Sequence, residues 1–192
     1  MRLAKINTSL LVLIVVVNLY VIITPFLPAL LFAKERHGGT YQALTHKIES
    51  PPPESGSKPA SNSITIPAML LDQPILEGRD TYAVLNKGIL HWSGSSTPDK
   101  GGNTVLVGHR FTYTVPKGVF YQLDKVHVGD SIGITWNSRN YRYRVTNIKT
   151  VPPSDTSILR PTTNPSLTMY TCTPLWHPKQ RLVVIAELES KP

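Results

Sequence analysis

The only cysteine of the chain, Cys172, closes a run of β-branched and aromatic residues in MYTCTP, which puts its sulfur at a strand end where an edge or loop can expose it. A single thiol allows no intramolecular disulfide and no zinc site built from several thiolates. Two readings remain for it: a small buried hydrophobe, or a nucleophile that needs a neighbour to take and return a proton. Of the six histidines, His109 ends the apolar strand TVLVG and is followed directly by Arg110, so its ring also falls at a strand end. Imidazole titrates near neutrality and suits proton transfer, although a hydrogen-bonded structural histidine fits the same position. His91 and His177 in turn-rich contexts, and His127 before a Val-Gly-Asp turn, compete for that part. Arg181 opens RLVVIAEL nine positions after Cys172, a connection short enough to set both side chains at neighbouring strand ends. Its permanently charged fork can hold a carbonyl and stabilise a developing oxyanion, where the alternative is a solvated or salt-bridged arginine. Thiol, imidazole and guanidinium on one amide bond would be the equipment for acyl transfer through a thioester.

Three residues so far apart in sequence converge only if a compact scaffold unites them. The 17 prolines, 12 glycines and 8% aromatic content favour a turn-rich β architecture over a helical bundle. Six runs read as strands: SITIPAML, NTVLVGH, DSIGITW, YRYRVTNIKTV, SLTMYTC and RLVVIAEL, and the spacing leaves room for eight. NSRN between Trp136 and Tyr141 reads as a hairpin turn, and the alternation of YRYRV gives one wet face and one dry. Val151 to Pro165, with four prolines, lies between two strands as a long connection of the kind that is often functional.

Ahead of this domain, Thr8 to Ala33 reads TSLLVLIVVVNLYVIITPFLPALLFA, free of charge and long enough for a hydrocarbon core of about 30 Å. It is longer than the roughly 7–15 apolar residues of a signal peptide, so a retained transmembrane helix over 8–33 is the expectation. Asn18, Pro25 and Pro28 interrupt that helix. Arg2 and Lys5 before the segment nearly balance Lys34 and Arg36 after it, so the positive-inside comparison leaves orientation open. Lys34 to Glu49 can continue as a short helix, while SPPPESGSKPASN at 50–62 has the composition of a tether. Of the net charge of +8, Arg2 and Lys5 belong to the membrane segment; the rest is spread along the domain without a nucleic-acid motif or aromatic-basic platform, so no nucleic-acid partner is expected.

In this order, anchor, proline-rich tether, GNTVLVGHR, LTMYTCTP and QRLVVIAEL, the chain resembles the sortase family from about Ser63 to Leu188. The family's cysteine strand usually reads Thr-Leu-x-Thr-Cys, and Thr168, Met169, Tyr170, Thr171 and Cys172 fill it, with methionine in place of leucine. Gly102, Asn103, Gly108, His109 and Arg110 resemble the stretch around the family's histidine, and Arg181 falls where its arginine opens the closing strand. The resemblance implies an all-β fold with short helices, an eight-stranded sortase-type barrel behind one N-terminal transmembrane helix. It implies a cysteine transpeptidase with Cys172, His109 and Arg181 as catalytic residues, cleaving an LPxTG-like signal between Thr and Gly. The acyl product passes to an amine of a cell-wall precursor or pilin, and no metal or other cofactor is expected. The loop 151–165 matches the family's substrate-contacting loop, with a short turn led by Ser154 or Asp155 and stopped by Pro161. Thr171 either orients the groove or substrate through its hydroxyl or fills the strand. Implied topology places residues 1–7 in the cytoplasm, 8–33 across the cytoplasmic membrane, 34–62 as an extracytoplasmic linker and 63–192 as the catalytic domain. A cysteine hydrolase of the same fold, and a non-catalytic tethered domain binding the envelope through its basic surface, are the rival readings.

Overall fold

The computed structural model of the protein describes residues 2–24, 27–36, 38–50, 61–112 and 117–190. The chain divides into two compact units, Met1–Gly39 and Thr40–Pro192. In the first unit the apolar stretch expected as one helix over 8–33 is two: α1 (Arg2–Ile23) and α2 (Leu27–Arg36). Pro25 falls between them, outside the described residues; a proline lacks the N–H a continuous helix needs. Among the described residues no helix is long and apolar enough to cross a membrane. The tether over 50–62 lies largely outside the described residues, at 51–60.

The second unit opens with α3 (Gly39–Glu49) and continues into eight strands: β1 (Ser63–Ile66), β2 (Leu71–Leu76), β3 (Ile89–His91), β4 (Asn103–Val107), β5 (Ser131–Trp136), β6 (Arg139–Val151), β7 (Ser166–Thr173) and β8 (Gln180–Ser190). They close into a barrel in the order β1-β2-β3-β4-β7-β8-β6-β5. The β5–β6 hairpin turns on Asn137 and Ser138, both at positive φ (49° and 62°), the backbone a two-residue turn needs to match strand twist. SITIPAML is not one strand. Pro67 ends β1 by fixing φ and removing a donor, a 3₁₀ turn spans Pro67–Met69, and Leu70 at φ 54° redirects the chain into β2.

Three apolar clusters stabilise this arrangement, one of them Val151, Ile158 and Val183 beneath Leu159 and Tyr170. Ile64, Leu106, Phe120, Tyr143, Leu167, Met169 and Val184 fill the barrel. Leu90, Val105 and Val107 face outward into a second apolar cluster under Val84 and Leu85 of α4 (Thr81–Leu85) and Leu159. All five residues of β4 are therefore buried, the pattern of a strand covered on both faces. On another side, α3 lays Ile48 against Gly133, where a Cβ would meet Ile48 Cγ1 at 2.8 Å.

Pairing direction sets the position of the three candidate residues. β4 and β7 are parallel, with Val107 opposite Tyr170. One step further on each strand reaches Gly108 and Thr171, and the next reaches His109 and Cys172. β8 returns antiparallel to β7 with Arg181 opposite Cys172.

Candidate functional site

At this end of the barrel a cleft of about 280 Å³ is lined by Cys172, His109 and Arg181, together with Thr171, Asp155 and Tyr170. Leu85 of α4, Val107, Pro153, Ile158 and Leu159 make much of the remaining wall apolar. Cys172 is half-buried, and Arg181 Nη1 lies 3.3 Å from its sulfur. Directly opposed cross-strand residues are close neighbours by construction, so the register alone brings guanidinium to thiol. The forked cation can neutralise negative charge on the sulfur or on an oxygen beside it.

His109 is held by its backbone. Thr171, almost fully buried, donates its hydroxyl to Gly108 O at 2.8 Å and joins the histidine segment to the cysteine strand. Phe120 N–H donates to His109 O at 3.0 Å, and Gly118 N–H donates to Arg110 O at 3.1 Å. Gly118 lies so close that a Cβ there would stand 2.1 Å from His109 O, which leaves room only for glycine. Arg110 fixes the next step of the chain: its guanidinium donates to Thr173 Oγ1 at 3.0 Å and Tyr121 O at 3.3 Å, and pairs with Asp124 at 3.0 Å. The residue after the histidine is thereby tied to the residue after the cysteine.

The His109 ring meets Tyr82 edge-on at 6.4 Å, and its Nε2 is buried with no hydrogen-bond partner among the described residues. Burial disfavours the charged imidazolium and lowers its pKa below the usual 6.5. The folded chain therefore binds this proton less readily than the unfolded chain. This group's contribution to stability is complete above 6.5 and declines as pH falls from there through the lowered midpoint. In an NMR titration of the full chain, the His109 ring signals are expected to move with a midpoint below 6.5; one above it would show a partner that the packing does not.

The 151–165 connection forms a 3₁₀ turn at Thr156–Leu159, with Asp155 as its N-cap and Pro161 following its C-cap Arg160. Asp155 accepts the Ser157 N–H at 2.9 Å, and the Ser157 hydroxyl first, with this backbone bond second, holds its carboxyl below the usual range. Ser154 is exposed and is not among the residues lining the cleft. The Thr171 hydroxyl spends its proton on Gly108 O, a bond that braces the groove. Burial raises the pKa of Tyr170, with Arg181 pulling the other way.

The competing histidines lie elsewhere. His91 is buried between Glu77 (2.8 Å) and Ser96 O (2.9 Å), and neither His127 nor His177 lines the cleft. Trp176 is exposed and packs edge-on with Phe111 at 4.8 Å. Sequence reasoning missed α4 and its Leu85; Asp80, which caps that helix by accepting the Ala83 N–H, was the available signal.

Comparison with known proteins gives one answer. The family model described as Sortase domain matches residues 64–189. Sortase D of Bacillus subtilis is 35% identical over 107 residues, which cover 56% of this chain and 50% of that protein. Sortase SrtE1 of Streptomyces coelicolor is 32% identical over 143 residues, covering 66% of this chain and 40% of the relative. The chain thus spans half or less of the length of these two curated relatives. Among solved structures, sortase C1 from Streptococcus agalactiae has a TM-score of 0.61 at 31% identity, over 68% of each chain. Clostridium perfringens Sortase D5 has a TM-score of 0.60 at 28% identity, over 83% of this chain and 94% of that one. The closed barrel is the one these structures share, and the family model spans nearly all of it, so this chain belongs to the sortase family.

Proposed function

We propose that the chain is a cysteine transpeptidase that cleaves an LPxTG-like sorting signal between Thr and Gly and passes the acyl group to an amine. The observation that carries this reading is the Arg181–Cys172 contact of 3.3 Å in the cleft that His109 also lines. The apolar wall of Leu85, Val107, Ile158 and Leu159 suits the leucine and proline of such a peptide.

In the first half-reaction the Cys172 proton passes to the His109 imidazole and the sulfur attacks the Thr carbonyl. The displaced electron pair resides on oxygen beside Arg181. On collapse the C–N bond breaks, the imidazolium gives its proton to the departing glycine amine, and a thioester remains on Cys172. In the second half, an amine of a cell-wall precursor or pilin attacks that thioester, His109 accepts the amine proton, and it passes that proton to the sulfur as the C–S bond breaks, which restores thiol and neutral imidazole.

The same reading seats the N-terminal stretch in the cytoplasmic membrane, with residues 1–7 inside and the barrel outside, where surface proteins or pilins are met. In support, the large apolar side chains of α1 from Leu10 to Ile23 are all at least half exposed, a surface that lipid would cover. External protease is expected to cut the domain on intact spheroplasts; protection there with cleavage after permeabilisation would reverse the topology.

Mass spectrometry of the detergent-solubilised full chain with LPxTG-like peptides tests the chemistry. A mass increase equal to the acyl fragment on Cys172, discharged to an amide by triglycine, is expected. Free acid alone, at a rate indifferent to triglycine, would make the enzyme a hydrolase. No adduct with any peptide would sink the proposal.

A further inference from the structure

We infer that Asn103 is a positioning residue that clasps the 151–165 loop to the cysteine strand and so sets the grip of the cleft on its peptide, an inference that rests on the transpeptidase reading above. Asn103 opens β4 and is 4% exposed. Its side-chain Nδ2 donates to Ile158 O at 3.1 Å and to Arg160 O at 3.0 Å. Its Oδ1 accepts from Thr168 Oγ1 at 2.8 Å, with Ser166 Oγ at 3.5 Å. Both amide protons are spent on the loop and the amide oxygen on β7. A flipped amide would set its oxygen against two carbonyls, so the network admits one orientation.

The two carbonyls belong to the end of the 3₁₀ turn, where backbone acceptors lose their helical partners and need others. Ile158 and Leu159 of that turn are walls of the cleft. One buried amide thus joins the strand that leads to His109, the strand that carries Cys172, and the wall on which an apolar peptide side chain would rest. An exposed loop of this length would otherwise move independently of the barrel. Held as it is, the wall stands at a fixed distance from the sulfur before any peptide arrives, which lowers the ordering cost of binding.

Asn103→Asp tests the clasp, since it keeps the shape and replaces two donors by an acceptor facing two carbonyls. Thr168→Val is the gentler second variant, removing the donor to Oδ1 while leaving the loop bonds possible. The loop readout needs no ligand: hydrogen exchange in the full chain at the Ser157 and Arg160 amides, which bond to Asp155 Oδ1 and Ser157 O. In Asn103→Asp these amides are expected to exchange roughly tenfold faster or more, with the β7 and β8 amides unchanged. Thr168→Val is expected to give a smaller effect at the same amides. With a peptide that the wild-type chain processes, KM should rise about tenfold while kcat falls much less. Alkylation of Cys172 by iodoacetamide should keep its rate. Unchanged loop exchange in a folded Asn103→Asp chain overturns the clasp. Equal loss of protection in β7 and β8, or failure of Asn103→Asp to fold together with unchanged loop exchange in Thr168→Val, makes Asn103 a general core residue and also overturns it. If wild-type chain processes no peptide, the transpeptidase reading fails while the exchange result still decides the clasp.

Discussion

Cys172→Ala is expected to leave a folded barrel that forms no acyl adduct with any peptide and turns over at background. The loss should be on the order of 10⁵–10⁶-fold, the scale seen when a covalent nucleophile is removed and binding groups stay. The residue is half-buried at a strand end, so truncation removes little packing, and stability should change by less than about 1 kcal/mol. The arginine and histidine remain in the cleft, but neither can hold the acyl group between half-reactions. Intact-mass analysis beside a thermal melt separates the two effects. A variant that melts normally and still accumulates an adduct would place the nucleophile elsewhere, in a chain with no other cysteine.

Arg181→Lys keeps the charge and is expected to lose roughly 100- to 1,000-fold in kcat/KM, the range for removal of one oxyanion donor. The guanidinium is fixed by register opposite Cys172, with Nη1 already 3.3 Å from the sulfur. Its remaining donors lie in the same rigid plane, so contact with sulfur and with a neighbouring oxygen can coexist. A lysine offers a single charge on a flexible stem, which must choose between them. Most of the loss should fall on kcat, because the oxyanion exists only as the reaction proceeds. Single-turnover acylation measured against peptide affinity checks this division; a defect confined to affinity would make Arg181 a binding residue only.

The convergence of Cys172, His109 and Arg181 on one cleft was legible in the sequence because each sits at or just beyond the end of a strongly patterned strand. Cys172, His109 and Arg181 are flanked by TMYT, TVLVG and LVVIAEL, whose β-branched content leaves little ambiguity. The β5–β6 hairpin was legible through the turn-forming run NSRN, in which Asn137 and Ser138 take up positive φ. β2 was hidden by Pro74, which the sheet accepts because its partner is Ser63 on β1, whereas β3 joins only at Ile75 and Leu76. β3 itself, three residues long, is too short to show a period. The work of Asn103 was invisible for another reason. Its partners lie 55 to 65 positions away, and no local pattern encodes hydrogen bonds made across a closed barrel.

Parallel pairing of β4 with β7 has a consequence for how the cleft can diversify. The ladder holds Val107 opposite Tyr170 at the interstrand repeat of about 4.8 Å, a constant of the peptide backbone, and beyond it the Thr171 hydroxyl still ties Gly108 to the cysteine strand. Changes in loop length or composition can therefore reshape the cleft wall while the segment leading to His109 keeps its place beside the strand of Cys172.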